Sequence, residues 1–240
     1  MPVIPAPIPR EVISEPRRAI RKFLKWRFEN KFTFNFIAML VFLVTVPLVT
    51  ENLVTEVFLN LLIFVVLFVG VHAISGNRIQ LIIGLILAIG SIITSGLFDY
   101  TGIRWYHNTS VLIMFVFFVF LAISIFYAIM CEKEITRDTI FGGISVYFLL
   151  GVSWAFGIMY MQLNIPSSFA FSQSMGFAPL SEFIGYSFSI LTTTGNYPVS
   201  AISPTAKMVS MFEMILGNLY IAILVSWMVG RFLADRRQAS

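Results

Sequence analysis

Apolar residues run along this chain in long blocks instead of alternating with polar ones. Six such blocks stand out, at 32–50, 53–74, 79–98, 111–130, 140–163 and 206–233. A helix rises ~1.5 Å per residue and a bilayer core is ~30 Å thick, so roughly 20 apolar residues cross it. The pattern therefore predicts an all-α integral membrane protein with six transmembrane helices. A seventh apolar run, 180–191, lies between the fifth and sixth blocks and is too short to span. It leads into Thr192-Thr193-Thr194-Gly195-Asn196-Tyr197-Pro198. Irregular backbone at membrane depth is tolerated only where protein buries it or it lines water. A half-helix followed by a Thr-Gly loop is thus expected to re-enter the membrane as a pore helix and filter.

Composition agrees, with 58% hydrophobic and 12% charged residues, about half the charge of an ordinary soluble domain. The net charge of +4 does not imply a nucleic-acid partner, because the basic residues follow the membrane. With the N-terminus inside, fourteen of the sixteen Lys and Arg fall on inner segments, and only Arg104 and Lys207 fall outside. That asymmetry orients a multi-pass protein with both termini cytoplasmic. The first thirty residues are basic and proline-broken, so no cleavable signal peptide is expected.

The expected organisation has five parts. Residues 1–31 form a cytoplasmic proline-rich tail and a basic segment, 11–31, whose Ile20, Phe23, Leu24, Trp26 and Phe28 suit an interfacial helix on anionic lipids. The alternative is that these charges merely set topology. Residues 32–130 form a four-helix membrane domain, 131–139 a cytoplasmic linker, 140–233 the pore domain and 234–240 a cytoplasmic tail. No ligand-binding domain is expected after the sixth span. The fourth span carries no charge from 111 to 130, so it cannot move through the field as a voltage-sensing helix, where each charge contributes ~2.3 kcal/mol per 100 mV.

Other residues have plainer readings. His72 is expected to be a hydrogen-bonded interface residue. His107 belongs with Asp99, Arg104, Trp105 and Tyr106 in an outer loop, and Pro47 kinks the first span near its outer end. Asn108-Thr109-Ser110 matches a glycosylation acceptor only by a pattern that arises often. The single cysteine, Cys131, excludes an intrachain disulfide. With no nucleophile–base pair, metal-ligand spacing or phosphate loop, the chain is not expected to be an enzyme or to hold a cofactor.

The segment Tyr186-Ser187-Phe188-Ser189-Ile190-Leu191-Thr192-Thr193-Thr194-Gly195 resembles the pore helix and filter of bacterial potassium channels of the two-span pore type. Phe212-Glu213-Met214-Ile215-Leu216-Gly217-Asn218-Leu219-Tyr220 and the run that follows it to Val225 are similar to that family's inner helix. The resemblance implies a homotetramer around a central pore, in a prokaryotic plasma membrane. It also implies a selectivity filter at Thr192, Thr193, Thr194, Gly195, Asn196 and Tyr197, with monovalent cations held at Thr193, Thr194 and Gly195.

The family pattern Thr-Val-Gly-Tyr-Gly-Asp reads here Thr193, Thr194, Gly195, Asn196, Tyr197, Pro198. The lower half matches. The upper half puts Tyr197 where the family has a glycine of positive φ, and Pro198 biases Tyr197 toward extended backbone. Distorted outer sites imply weak discrimination between potassium and sodium. The same residues resemble the Thr-Thr-x-Asn-x-Pro filter of endolysosomal two-pore channels, which favour sodium or are weakly selective, and that resemblance implies Asn196 at the constriction.

On the inner helix, Gly217 is either a hinge or a small residue for close packing. Asn218, Ile221 and Val225 share a cavity-facing stripe. Glu213 is expected to hydrogen-bond the back of the pore loop, and Glu182 to sit favourably in the first turn of the half-helix. The rival readings are a non-conducting membrane scaffold or a secondary transporter with a broken helix, although no paired repeat is visible.

Overall fold

The computed structural model describes residues 30–48, 53–73, 78–132, 135–171 and 179–238. The proline-rich tail and the basic segment before residue 30 lie outside these. Each apolar block becomes a helix. These are α1 (Lys31–Thr45), α2 (Leu53–Ala73), α3 (Arg78–Thr101), α4 (Arg104–Met130), α5 (Arg137–Asn164), α6 (Leu180–Leu191) and α7 (Pro204–Gln238). Five have the length and apolar content to cross a membrane, at Lys31–Leu48, Arg78–Thr101, Arg104–Met130, Arg137–Asn164 and Pro204–Arg231. The chain is thus an all-α, multi-pass membrane protein. The remaining long block is α2, a continuous helix of 21 residues.

Local chemistry sets the boundaries. α1 gives way at Pro47 to a tighter turn, Val46–Leu48, because proline cannot donate to an α-helical ladder. α5 opens with a reciprocal capping box, in which Thr136 Oγ1 accepts from Thr139 N at 3.2 Å and Thr136 N donates to Thr139 Oγ1 at 3.3 Å. α3 stops at Gly102, whose φ of 66° closes the last turn through a 2.7 Å bond from its N–H to the Phe98 carbonyl.

That stop corrects the expected outer loop. Asp99 lies in α3, while Arg104, Trp105, Tyr106 and His107 form the first turn of α4, leaving only residues 102 and 103 between the helices. Polar and aromatic residues break hydropathy there without breaking the helix. Asn108 is likewise helical, its Nδ2 donating to Asn164 Oδ1 at 3.2 Å.

The short connection after Met130 makes α4 and α5 antiparallel neighbours. Phe117, Phe118, Leu121, Ile125 and Ile129 of α4 are buried with Leu149, Val152 and Ile158 of α5 and Phe32, Met39 and Phe42 of α1. α1 is tied to the start of α5. The Asp138 carboxylate accepts from Thr33 N and Thr33 Oγ1, both at 2.7 Å, and from Phe32 N at 3.4 Å. It thereby satisfies N–H groups that a helix start leaves open. The opposite ends of α4 and α5 are joined by Arg104 Nη2, which donates to the Leu163 carbonyl at 2.9 Å. α2 and α3 enclose an apolar cavity of about 430 Å³ bordered by His72.

Candidate functional site

The twelve residues of α6 make a rod of about 18 Å, little more than half a bilayer core. Its start follows Pro179, with Glu182 in the first turn, where the helix dipole favours an anion. Its far end is held by the loop that follows. Thr192 N donates to the Phe188 carbonyl, Thr193 N to Ile190 and Gly195 N to Ser189, all at 3.0 Å. Thr192 Oγ1 adds a 2.6 Å bond to Phe188, and Thr194 Oγ1 a 3.2 Å bond to Ser189. The Leu191 carbonyl accepts from Tyr147 Oη at 3.1 Å. All four terminal carbonyls of α6 thus have internal donors, the accounting a helix end requires. The Thr192 and Thr194 hydroxyl protons are thus directed at the helix end, and the loop is backed by the helix's partial negative charge.

The turn is made by two left-handed residues, Thr193 at φ 59° and Gly195 at φ 61°. Glycine takes that conformation freely, whereas a β-branched residue there is an outlier. Strain of this kind costs ~1–3 kcal/mol and gathers at sites where geometry matters. Tyr197 does not share it, since the non-glycine residues of positive φ among those described are Ser167 and Thr193. The Tyr197 ring instead lies on Gly185 of α6, so close that a Cβ there would fall 2.2 Å from Cζ. Thr192, Thr193, Thr194, Gly195 and Asn196 are exposed on the protomer. Beyond them the chain forms β2 (Ser200–Ala201), antiparallel to β1 (Phe169–Ala170). Ile202 N and Ser203 N both donate to the Ser168 carbonyl, at 2.9 and 3.3 Å. The loop is therefore anchored at both ends.

α7 packs on α6 along one stripe. Tyr186 Oη and Ser210 Oγ are 2.8 Å apart. Glu213, fully buried, has Oε1 hydrogen-bonded by Ser187 Oγ, which also reaches the Gly151 carbonyl at 2.7 Å. Gly217 lies against the end of α6, where an added Cβ would stand 2.7 Å from the Leu191 carbonyl oxygen. Close packing thus gives Gly217 a sufficient reason to be glycine. Tyr220 completes the stripe, donating to the Gly143 carbonyl at 2.6 Å and stacking on Tyr147. Asn218, Ile221 and Val225 lie off this stripe and are exposed.

The structure therefore gathers Glu213 and Gly217 against α6 and its loop, and leaves Asn218, Ile221 and Val225 on an open face. Glu182 sits apart, on a cavity of about 590 Å³ that it shares with Tyr197, Phe148 and Phe188. Sequence reasoning did not single out Gly185, Ser187, Tyr147, Tyr220 or Ser210. Ser187 and Tyr220 stood inside the compared motifs without a role, and nothing local marked Tyr147, whose partner is 44 residues away. No protein-family model, no curated protein and no solved structure matches the chain.

Proposed function

We propose that this chain is one protomer of a homotetrameric cation channel with six membrane spans, α2 being the sixth. It passively conducts potassium, and sodium less selectively excluded than in a strict potassium pore, without a charged voltage sensor. One observation carries the reading. A helix too short to cross the membrane ends in an anchored loop whose left-handed Thr193 and Gly195 are exposed on an open protomer face. Such a loop is costly unless protein buries it or it lines water, and on the protomer it is exposed. Several copies around an axis would turn the four exposed threonine and glycine positions into a ring of hydroxyls and carbonyls able to replace an ion's hydration shell. The resemblance of residues 186–195 and 212–225 to bacterial potassium-channel pores supports the same reading. The Asn196-Tyr197-Pro198 departure, with the ring of Tyr197 seated on Gly185, supports weak discrimination.

Oligomerisation is supported by α7, which keeps Met208, Met211, Phe212, Ile215, Leu219 and Ile223 about half exposed while its other face packs on α6. The test is reconstitution into liposomes with potassium and sodium gradients. Reversal potentials lying between the two equilibrium values are expected. Potentials that follow potassium alone remove the weak-selectivity claim, and those that follow sodium alone make this a sodium channel. A tetramer without flux removes the channel and favours a scaffold or transporter. Thr193→Ala or Gly195→Ala should change permeation, whereas His72→Ala should not.

A further inference from the structure

The cavity beside Glu182 is closed on one side by Leu43 and Pro47 at the end of α1, and on another by Phe148, Phe188 and Tyr197. Within it Glu182 Oε2 is buried and has no hydrogen-bond partner among the described residues. A carboxylate oxygen withdrawn from water without a partner is costly, and no described residue of the protomer meets it.

The candidates at this end of the molecule are few. Of the two basic residues there, Arg104 is occupied with the Leu163 carbonyl at 2.9 Å. Lys207 is exposed and makes no ion pair among the described residues. Their depths match. Tyr186 bonds Ser210, and one turn outward from that pair brings the chain to Glu182 on α6 and Lys207 on α7. Yet Lys207 stands about 100° round the helix from Ala206, the buried residue that begins the α6-facing stripe of Ser210, Glu213 and Gly217. It points instead with the exposed Met208, Met211 and Phe212. The two charges sit at one level, on faces that a single chain does not bring together.

We infer that a second copy of this chain completes the cavity, the partner subunit's Lys207 pairing with Glu182 across the boundary. The inference rests on the tetramer proposed above. Cyclic symmetry gives every Glu182 one lysine, and methionine side chains beside the lysine have the flexibility to fill the aromatic-walled space. The contact lies directly behind Tyr197, so assembly and the upper filter share a wall.

The experiment uses the full chain with its one cysteine, exposed Cys131, changed to serine. E182C and K207C introduced together should give a dimer-to-tetramer ladder on mild oxidation in membranes, and either alone should give none. In a second arm, E182K or K207E alone should lower the tetramer fraction seen by native mass spectrometry by about tenfold, and E182K/K207E should restore it. A tetramer that conducts but shows neither ladder nor rescue overturns the inference and leaves the channel standing. A monomer without flux overturns both.

Discussion

Gly217→Ala is the sharpest test of how α7 supports the loop after α6. The new Cβ would lie 2.7 Å from the Leu191 carbonyl oxygen and 2.8 Å from Leu191 Cδ1. Ordinary contact needs roughly 3.5 Å, so about 0.7 Å must open between the helices. Leu191 cannot yield alone, because its carbonyl holds Tyr147 Oη and the next residues form the loop. Overpacking of this kind costs about 1–3 kcal/mol, against about 1 kcal/mol gained in helix propensity. A net loss of up to about 2 kcal/mol is therefore expected, together with a shifted loop. Gly96→Ala is the control, since no atom lies within 4 Å of the Cβ it would add, and it should gain up to about 1 kcal/mol. The assay pairs thermal midpoints in detergent with potassium-to-sodium permeability ratios in liposomes. G217A as stable as G96A, with an unchanged ratio, would refute the close approach. A changed open probability at constant ratio would point to a hinge instead.

Gly185→Ala should displace the Tyr197 ring and change the permeability ratio as Tyr197→Ala does. The double variant should be no worse than either, and additive effects would show the two residues to be uncoupled. Asp138→Ala removes the bonds to Phe32 and Thr33 and should cost about 1–2 kcal/mol, read as a lower thermal midpoint; no change would mean that α1 is held elsewhere. Asn35 is fully buried and neither side-chain polar atom has a partner among the described residues. Asn35→Leu should therefore raise stability by about 1 kcal/mol or more, and a fall would reveal a ligand or water held there.

Element positions were largely legible, because membrane helices obey a single rule of length and hydropathy. α6 appears at Leu180–Leu191, the run that hydropathy and the Thr-Gly break delimit. What hydropathy misjudged was the turn at Gly102, where polar and aromatic residues continue a helix. The site was legible as a list and not as an arrangement. Glu213 and Thr193 stand out by chemistry alone, as an intramembrane carboxylate and a threonine before glycine. Gly185 does not, since its need to be small comes from Tyr197, twelve positions on and folded back over it. Nor does sequence show that Thr193, and not Tyr197, bears the left-handed strain. That outcome depends on how the last carbonyls of α6 find donors.

The bond between Asp138 and the start of α1 has a mechanical meaning. Force applied at Lys31 meets Asp138 at the first turn of α5, and α5 carries Gly151, whose carbonyl meets Ser187 of α6. The hydrogen-bonded route from the head of α1 to the loop after α6 is thus two helices and two joints, and neither joint is made by α2, α3 or α4.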